Sequence, residues 1–232
     1  MIMNVEPKVP ISRWSRPGRD AVWIPAAILL GTGLLTGCLS RPSLVKRTFA
    51  FPPLPVTSTT EIARSRVLGI RRLTLAAPFD DQSLVYRTGE FTYERDPYAE
   101  FLIPPAETFA VAIRGYVRSS CVFRDVTEPG SASRPDTEVE ICIEQLYGDF
   151  RNPSDASAVL EMRFIFFDAP TGISGKVLLQ KICSRHVHVR TRTATSLMEG
   201  WNQALMQILD EVCSDLRTNA VASRGTPIHE QK

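Results

Sequence analysis

The chain has 232 residues, of which 44% are hydrophobic and 22% are charged. This composition supports a packed core and excludes global disorder. Lysine and arginine total 27 against 25 aspartates and glutamates, so no overall positive field exists that would attract nucleic acid.

The first hydrophobic segment has the features of a bacterial signal peptide. Its 17 uncharged residues, 21–37, follow a net-basic start and are fewer than the roughly 20 that a membrane-spanning helix needs. The segment runs into Leu35-Thr36-Gly37-Cys38, which fits the lipobox pattern of Leu, a small residue, Gly or Ala, and Cys. The small residues allow the backbone before the cysteine to enter the cleft of the signal peptidase, and only a cysteine supplies the thiol that is acylated. The alternative is an N-terminal transmembrane anchor with an incidental cysteine.

We therefore predict that residues 1–37 are a lipoprotein signal peptide and that Cys38 is the first mature residue. Cys38 would carry a diacylglycerol and an N-acyl chain such as palmitate, and no other cofactor is expected. Several acyl chains anchor a protein stably, because each buried CH₂ contributes about 0.8 kcal/mol. Leu39 stands where an aspartate would favour inner-membrane retention in many Gram-negative bacteria. The predicted location is therefore the outer membrane, with the protein facing the periplasm.

Residues 38–66 are predicted to form a lipid-anchored tether. Four prolines and a Thr/Ser run at 57–60 favour an extended chain. Fully extended, the 28 residues of 39–66 would reach about 90 Å. Residues 48–51 could form a short first strand within this segment.

The pattern downstream predicts one folded domain over residues 67–218 and a disordered tail over 219–232. Apolar alternation indicates strands at 67–75, 121–127, 137–149, 156–168 and 174–190, and strand-like residues within 83–93 on either side of the turn-prone Gly89. Helical periodicity indicates a helix that begins at Pro104 and Pro105 and another over 193–217. Because the last four strands have short connections, the expected fold class is α+β, an antiparallel β-sheet meander with two amphipathic helices packed on one face.

No catalytic constellation is evident in the sequence, and we do not expect an enzyme. His186 and His188 fall on one face of a strand, as in some metal sites. No third ligand is evident, and Arg185, Arg190 and Arg192 would repel a cation, so no metal is expected and a solvated strand face is the favoured interpretation. The three arginines could meet an acidic partner or lipid headgroups, or form a solvated edge.

One segment, 86–103, is rich in aromatic and aliphatic side chains. It could form an exposed docking surface or contribute to the core. Its members are Tyr86, Phe91, Tyr93, Tyr98, Phe101, Leu102 and Ile103. The neighbouring carboxylates of Asp80, Asp81 and Glu100 are expected at the surface or in turns.

Four cysteines follow the lipobox: Cys121, Cys142, Cys183 and Cys213. The periplasm is oxidising, so they could form two disulfides in three connectivities. If strands 121–127 and 137–149 form a hairpin that pairs Val126 with Thr137, Cys121 falls opposite Cys142, and we predict that bridge. Cys183 and Cys213 would then be buried thiols or a bridge between a strand and a helix.

Four segments occur in a characteristic order: LGIRRLTLAAPFDDQSLVYR (68–87), YERDPYAEFLIPPAE (93–107), SSCVFRDV (119–126) and WNQALMQILDEV (201–212). Together with the lipobox, and over roughly residues 45–218, they resemble the ABC-type transport auxiliary lipoprotein family. The chain departs from the family pattern at Tyr98-Ala99-Glu100, where Trp-Ala-Glu is usual.

The resemblance implies an accessory role and no chemistry. Members serve transporters that combine a permease, an ATPase and a mammalian-cell-entry (MCE) domain protein and that move lipids across the envelope. The implied function is an auxiliary subunit that docks to the MCE component at the outer membrane, and a homo-oligomer is compatible with it. The alternative is a structural lipoprotein that stabilises the envelope or another outer-membrane complex. An envelope hydrolase is disfavoured because no nucleophile and base can be named.

Overall fold

A computed structural model describes residues 45–54, 66–120, 123–127, 130–131, 133–168 and 175–222. These residues belong to a unit that spans Val45–Lys232. The predicted signal peptide, the lipobox with Cys38, Cys121 and residues 223–232 lie outside the described residues. Neither of the helices described below has the length and apolar character needed to cross a membrane.

Eight strands and two long helices form the described part of the chain. They are β1 (Arg47–Phe49), β2 (Arg66–Leu75), β3 (Ser83–Arg87), β4 (Tyr93–Phe101), α1 (Pro105–Ser120), β5 (Phe123–Thr127), β6 (Thr137–Asp149), β7 (Ser157–Asp168), β8 (Val177–His188) and α2 (Ala194–Ala222). The α+β class is confirmed, and each predicted strand and helix is present. Because α2 continues to Ala222, the first four residues of the predicted tail are helical.

All eight strands join one mixed sheet. The strand order along its main path is β1-β4-β3-β6-β2-β5, in which β2 and β3 pair with different parts of the same edge of β6. β7 pairs with the opposite edge of β6, and β8 pairs with β7. The long β6–β7 and β7–β8 ladders and the β3–β4 hairpin are antiparallel, so the sheet is mostly antiparallel. The pairs β1–β4, β2–β5, β2–β6 and β3–β6 are parallel.

The predicted hairpin between β5 and β6 is wrong. Leu68 of β2 pairs with Val126 on one side and with Thr137 on the other, so β2 lies between the two strands. Val67, Leu68 and Ile70 are buried. A buried strand needs partners for the backbone groups on both of its edges, and β5 and β6 supply them.

Both helices pack on the same face of the sheet, as predicted. Ile113 and Val117 of α1 meet Leu209 and Val212 of α2 around a small apolar cavity whose floor includes Ile141 of β6. Further along α2, the indole of Trp201 stacks on Phe101 with ring centroids 5.9 Å apart. Its Nε1–H donates to the Val159 carbonyl oxygen over 3.0 Å.

The segment 45–54, predicted to be tether, folds onto the domain. β1 pairs with β4 in parallel, and the Leu102 N–H donates to the Phe49 carbonyl oxygen over 2.8 Å. Phe51 packs edge-on against Phe109 with ring centroids 5.0 Å apart. From Cys38 to Arg47 the chain has only nine residue steps, which span at most about 30 Å rather than the predicted 90 Å.

The sheet has two ends that matter for function. The hairpin end comprises the β3–β4 turn at 88–92, the β6–β7 loop at 150–156 and the residues 186–193 that lead from β8 into α2. Residues 45–46 precede β1 on this side, because β1 runs parallel to β4. The opposite end holds the first residues of β2, β6 and β8.

Candidate functional site

The aromatic and aliphatic segment around β4 is divided between core and surface. Phe101 is buried, and Tyr86 is half-buried and stacks on Phe150 with ring centroids 4.9 Å apart. The core interpretation therefore holds for Phe101 and in part for Tyr86. The remaining members are exposed: Phe91, Tyr93, Tyr98, Leu102 and Ile103. Within this segment, the docking-surface interpretation is therefore open for these five side chains.

Phe91 is the most exposed of these side chains, at 89%, and lies in the β3–β4 turn. The turn has a defined shape, because the Thr88 N–H donates to the Thr92 carbonyl oxygen over 3.0 Å. The Arg87 guanidinium also donates to the Glu90 carbonyl oxygen over 2.8 Å. A hydrogen-bonded turn thus presents the phenyl ring to solvent.

The base of the same hairpin is fastened to the sheet. Tyr93 packs edge-on against Tyr147 with ring centroids 5.6 Å apart, and the Arg87 guanidinium lies 5.7 Å from the Tyr93 ring. The Tyr86 hydroxyl donates to the Asp96 carboxylate. Burial, together with the Asp96 charge, raises the pKa of Tyr86, so this phenol stays protonated and remains a donor.

Of the three carboxylates expected at the surface or in turns, Asp80 and Asp81 are exposed, whereas Glu100 is half-buried on β4. Asp81 accepts from the Ser83 N–H over 2.9 Å, and this bond, with the charge of Arg95, lowers the pKa of Asp81. Glu100 forms an ion pair with Lys46 at 2.6 Å, which ties the residue before β1 to β4.

The three predicted arginines do not form one patch. Arg185 turns toward α2 and pairs with Glu211. Arg192 donates to the Phe150 carbonyl oxygen over 2.7 Å and lies 5.1 Å from the Phe150 ring. Arg190 is exposed. Two of the arginines therefore belong to the hairpin end, whereas Arg185 is part of a contact between β8 and α2.

That contact is a small ion-pair network. Lys181 pairs with Glu211 at 2.7 Å and also with Asp215. Burial opposes the charge on Lys181, but its bonds to Asp215 and Glu211 outweigh burial and raise the pKa of Lys181. Lys181 and Arg185 lower the pKa of Glu211. Because the Glu211 side chain keeps 36% of its exposure, solvent screening limits the stabilisation to about 1 kcal/mol or less.

His186 and His188 are both exposed on β8, as a solvated strand face requires. Two carboxylates that the sequence analysis did not identify line the same cleft: Asp149 at the end of β6 and Asp155 in the β6–β7 loop. His188 Nδ1 lies 3.6 Å from the Asp155 carboxylate, while Asp149 is held by Arg151. Among the residues described here, no three His, Cys, Asp or Glu side chains group as metal ligands.

The strand register does not support the Cys121–Cys142 bridge. Phe123, two residues after Cys121, pairs with Arg66, whereas Cys142 pairs with Thr74 and has a free thiol. Arg66 and Thr74 are eight residues apart on β2, which is about 26 Å, whereas a disulfide needs Cα atoms within about 7 Å. The pairing followed from the wrong β5–β6 hairpin.

Cys183 and Cys213 are both buried, and the Cys183 thiol is free. Burial raises the pKa of the Cys183 thiol. A protonated, buried thiol is a poor nucleophile, so Cys183 is an inert part of the core.

A second exposed apolar surface, which sequence reasoning missed, is the outer side of β8. β8 pairs with β7 on one side, and no described strand lies on its other side. We call this strand with its exposed Val177, Leu178 and Ile182 the β8 edge. A long strand edge with apolar side chains is a template for strand addition by a partner. The alternation of apolar residues in β8 predicted a strand, but the pattern of one strand does not indicate whether that strand lies at the edge of its sheet.

The arrangement of strands and helices is shared with solved structures. Protein XCC0632 from Xanthomonas campestris matches with a TM-score of 0.63 at 15% identity, covering 77% of this chain and 99% of that one. A second crystal structure, of an uncharacterized protein, matches with a TM-score of 0.56 at 10% identity, covering 73% of this chain and 99% of that one. At these identities the likeness shows the fold alone.

Sequence comparison identifies the family. Curated proteins gave no significant sequence match to the chain. A family model described as the ABC-type transport auxiliary lipoprotein component matches residues 48–216, from β1 through most of α2. This range contains the hairpin end and the β8 edge and agrees with the resemblance noted in the four sequence segments. The chain therefore belongs to the ABC-type transport auxiliary lipoprotein component family.

Proposed function

We propose that this protein is the lipid-anchored auxiliary subunit of an ABC/MCE-type lipid transporter and docks to the MCE component at the outer membrane. The match to the transport auxiliary lipoprotein family over residues 48–216 carries this proposal. The lipobox ending at Cys38 supports attachment to a membrane. The work of such a subunit is binding, and the two exposed apolar surfaces offer places for it.

The direction of β1 supports an orientation for the docked domain. Residues 45–46 precede β1 on the side of the hairpin end, and at most about 30 Å of chain joins Arg47 to Cys38. The hairpin end would then be near the membrane. Val177 and Leu178 begin β8 at the opposite end of the sheet, away from that membrane.

The β8 edge is the surface that we assign to the MCE component. A protein projecting from the inner membrane would approach an outer-membrane lipoprotein from the side away from its anchor, where β8 begins. Strand addition there would pair the partner's backbone with the outer edge of β8. Leu178 and Ile182 would supply apolar contacts beside those backbone hydrogen bonds.

A photo-cross-linking residue in place of Ile182 is expected to capture the MCE component in intact cells. A matched control replaces Val111 on α1, because the two native side chains have nearly equal exposure, 57% for Ile182 and 55% for Val111. Mass spectrometry of the cross-linked bands identifies the partner. Equal capture at both positions, or no MCE capture at Ile182, would contradict docking through the β8 edge. If no position captures an MCE protein and deletion leaves lipid homeostasis intact, the structural-lipoprotein alternative is favoured.

Cys38 is expected to carry the acyl chains. Mass spectrometry of the N-terminal peptide of the mature protein should find lipid on this residue. The Cys38→Ala variant should accumulate as an uncleaved or mislocalised precursor, because alanine has no thiol to acylate. If the wild-type protein keeps residues 21–37 and Cys38→Ala is sorted as the wild type is, the transmembrane-anchor interpretation of these residues is favoured.

A further inference from the structure

We propose that the hairpin end of the sheet is a membrane-contact surface and that Phe91 enters the headgroup region of the bilayer holding the anchor. This inference rests on the lipid anchor of the proposed function and does not depend on its MCE partner. It assigns a ligand of stated chemistry, a phospholipid surface, to residues outside the β8 edge.

The first argument is the length of chain between the anchor and the folded domain. Nine residue steps from Cys38 to Arg47 allow at most about 30 Å, so the bilayer surface cannot lie farther than that from β1. The β3–β4 turn is well within this distance. Thr48 pairs with Glu100, Glu100 pairs with Ser83, and β3 runs four residues further to Arg87, which is about 13 Å.

The second argument is the side chain at the tip. Phe91 is 89% exposed in a hydrogen-bonded turn, where it contributes little to the core. Aromatic and aliphatic side chains on the apolar face of peripheral proteins bury themselves at the boundary between headgroups and acyl chains. A single exposed ring on a rigid turn is suited to this shallow insertion.

The third argument is the charge around the tip. Arg47 and Arg192 line a cleft beside Thr88, and Arg151 lines the next cleft along the same end. Arg190 is exposed nearby in the segment between β8 and α2. Guanidinium groups bind phosphate oxygens, and each basic side chain near an anionic membrane surface adds to the attraction.

Two acidic side chains line the first cleft as well, but both accept hydrogen bonds within the domain. Asp96 accepts from the Tyr86 hydroxyl, and Glu94 accepts from the Thr88 hydroxyl over 2.9 Å. Glu90 beside Phe91 and Asp155 in the next cleft are exposed carboxylates, and Arg151 in that cleft pairs with Asp149. The basic groups that this end offers to lipid phosphates are therefore Arg47, Arg190 and Arg192. The short connection to the anchor favours a membrane over a protein as the occupant of this end, because the bilayer is always within reach.

Tryptophan fluorescence tests the contact in the lipidated protein. After Cys38 the chain contains one tryptophan, the buried Trp201, which gives a constant background. The lipidated Phe91→Trp protein is reconstituted in vesicles of phosphatidylethanolamine and phosphatidylglycerol, with or without brominated acyl chains. Lipid on Cys38 is verified first by mass spectrometry. The matched control is Ile182→Trp, which places an exposed indole on the β8 edge.

We expect the added indole at position 91 to emit at shorter wavelength on reconstitution and to lose intensity in brominated vesicles. The indole at position 182 should show neither change. Equal responses at both positions, or no quenching at position 91, would overturn the proposal. A wavelength shift at position 91 that occurs only after a transporter component is added would also overturn it, since that result assigns the hairpin end to a protein partner. The other outcomes are measured in vesicles without transporter, so they are independent of MCE docking.

Discussion

Trp201→Ala is expected to lower the free energy of unfolding by about 3–5 kcal/mol. The indole is fully buried at the centre of the contact between α2 and the sheet, where it stacks on Phe101. Truncation leaves a cavity and also leaves the buried Val159 carbonyl oxygen without the Nε1–H donor. Domains of this kind have a total stability of about 5–15 kcal/mol, so the variant would lose a large share of it.

Urea unfolding of the wild-type and variant proteins measures this loss through the transition midpoint and slope. Trp201→Phe is the matched control, because it keeps an aromatic ring against Phe101 and removes the hydrogen bond to Val159. It should cost clearly less than Trp201→Ala. A loss below about 1 kcal/mol for the alanine variant would mean that the contact between α2 and the sheet does not depend on this side chain.

The position of Trp201 is a part of the fold that the sequence predicted well. The stripe expected along α2 is buried in the structure at all but its last member, which is half-buried: Leu197, Trp201, Leu205, Ile208, Val212 and Leu216. Because a helix repeats every 3.6 residues, the residues of its buried face can be identified from one short segment of sequence. The alternation along β6 and β7 was informative for the same reason.

Pairings between distant segments could not be predicted in the same way. β2 lies between β5 and β6, although 47 residues separate it from β5 and 61 from β6 in sequence. Short connections favour sequential hairpins, and this preference led to the wrong β5–β6 pairing and with it to the Cys121–Cys142 bridge. Phe49 and Phe51 pack against the core. These two aromatic residues were the sequence feature that could have indicated that this part of the predicted tether folds onto the domain.

The candidate surfaces also contain residues whose position could be predicted from the sequence and residues whose position could not. The burial of Phe101 depends on which elements cover β4, and that information is absent from its own segment, whereas Phe91 is exposed because it lies in the β3–β4 turn. Arg185 could have been assigned from the sequence. It shares the alternation of the buried residues Cys183 and Val187, and that face of β8 meets α2. An arginine on that face is better interpreted as a contact to the helix than as a ligand for lipid.

Two glycines in the helices test how closely α2 approaches the sheet. A Cβ at Gly200 would lie 2.6 Å from the Ala158 Cβ and 3.0 Å from the Val189 Cγ1. Both neighbours are short, fixed side chains, so the helix itself would have to move away. A Cβ at Gly115 of α1 would meet nothing within 4 Å. The same substitution at the two positions therefore changes packing only at Gly200.

Gly200→Ala is expected to destabilise the protein by about 1–3 kcal/mol, because overpacking outweighs the better helix propensity of alanine. Gly115→Ala is expected to stabilise it by about 0.5–1 kcal/mol, since only propensity changes there. Urea unfolding of both variants measures the opposite signs. Adding Ala158→Gly to Gly200→Ala should recover part of the loss, because one of the two close contacts disappears. Stabilisation by Gly200→Ala, or no coupling with Ala158→Gly, would contradict the close approach of α2 to β7.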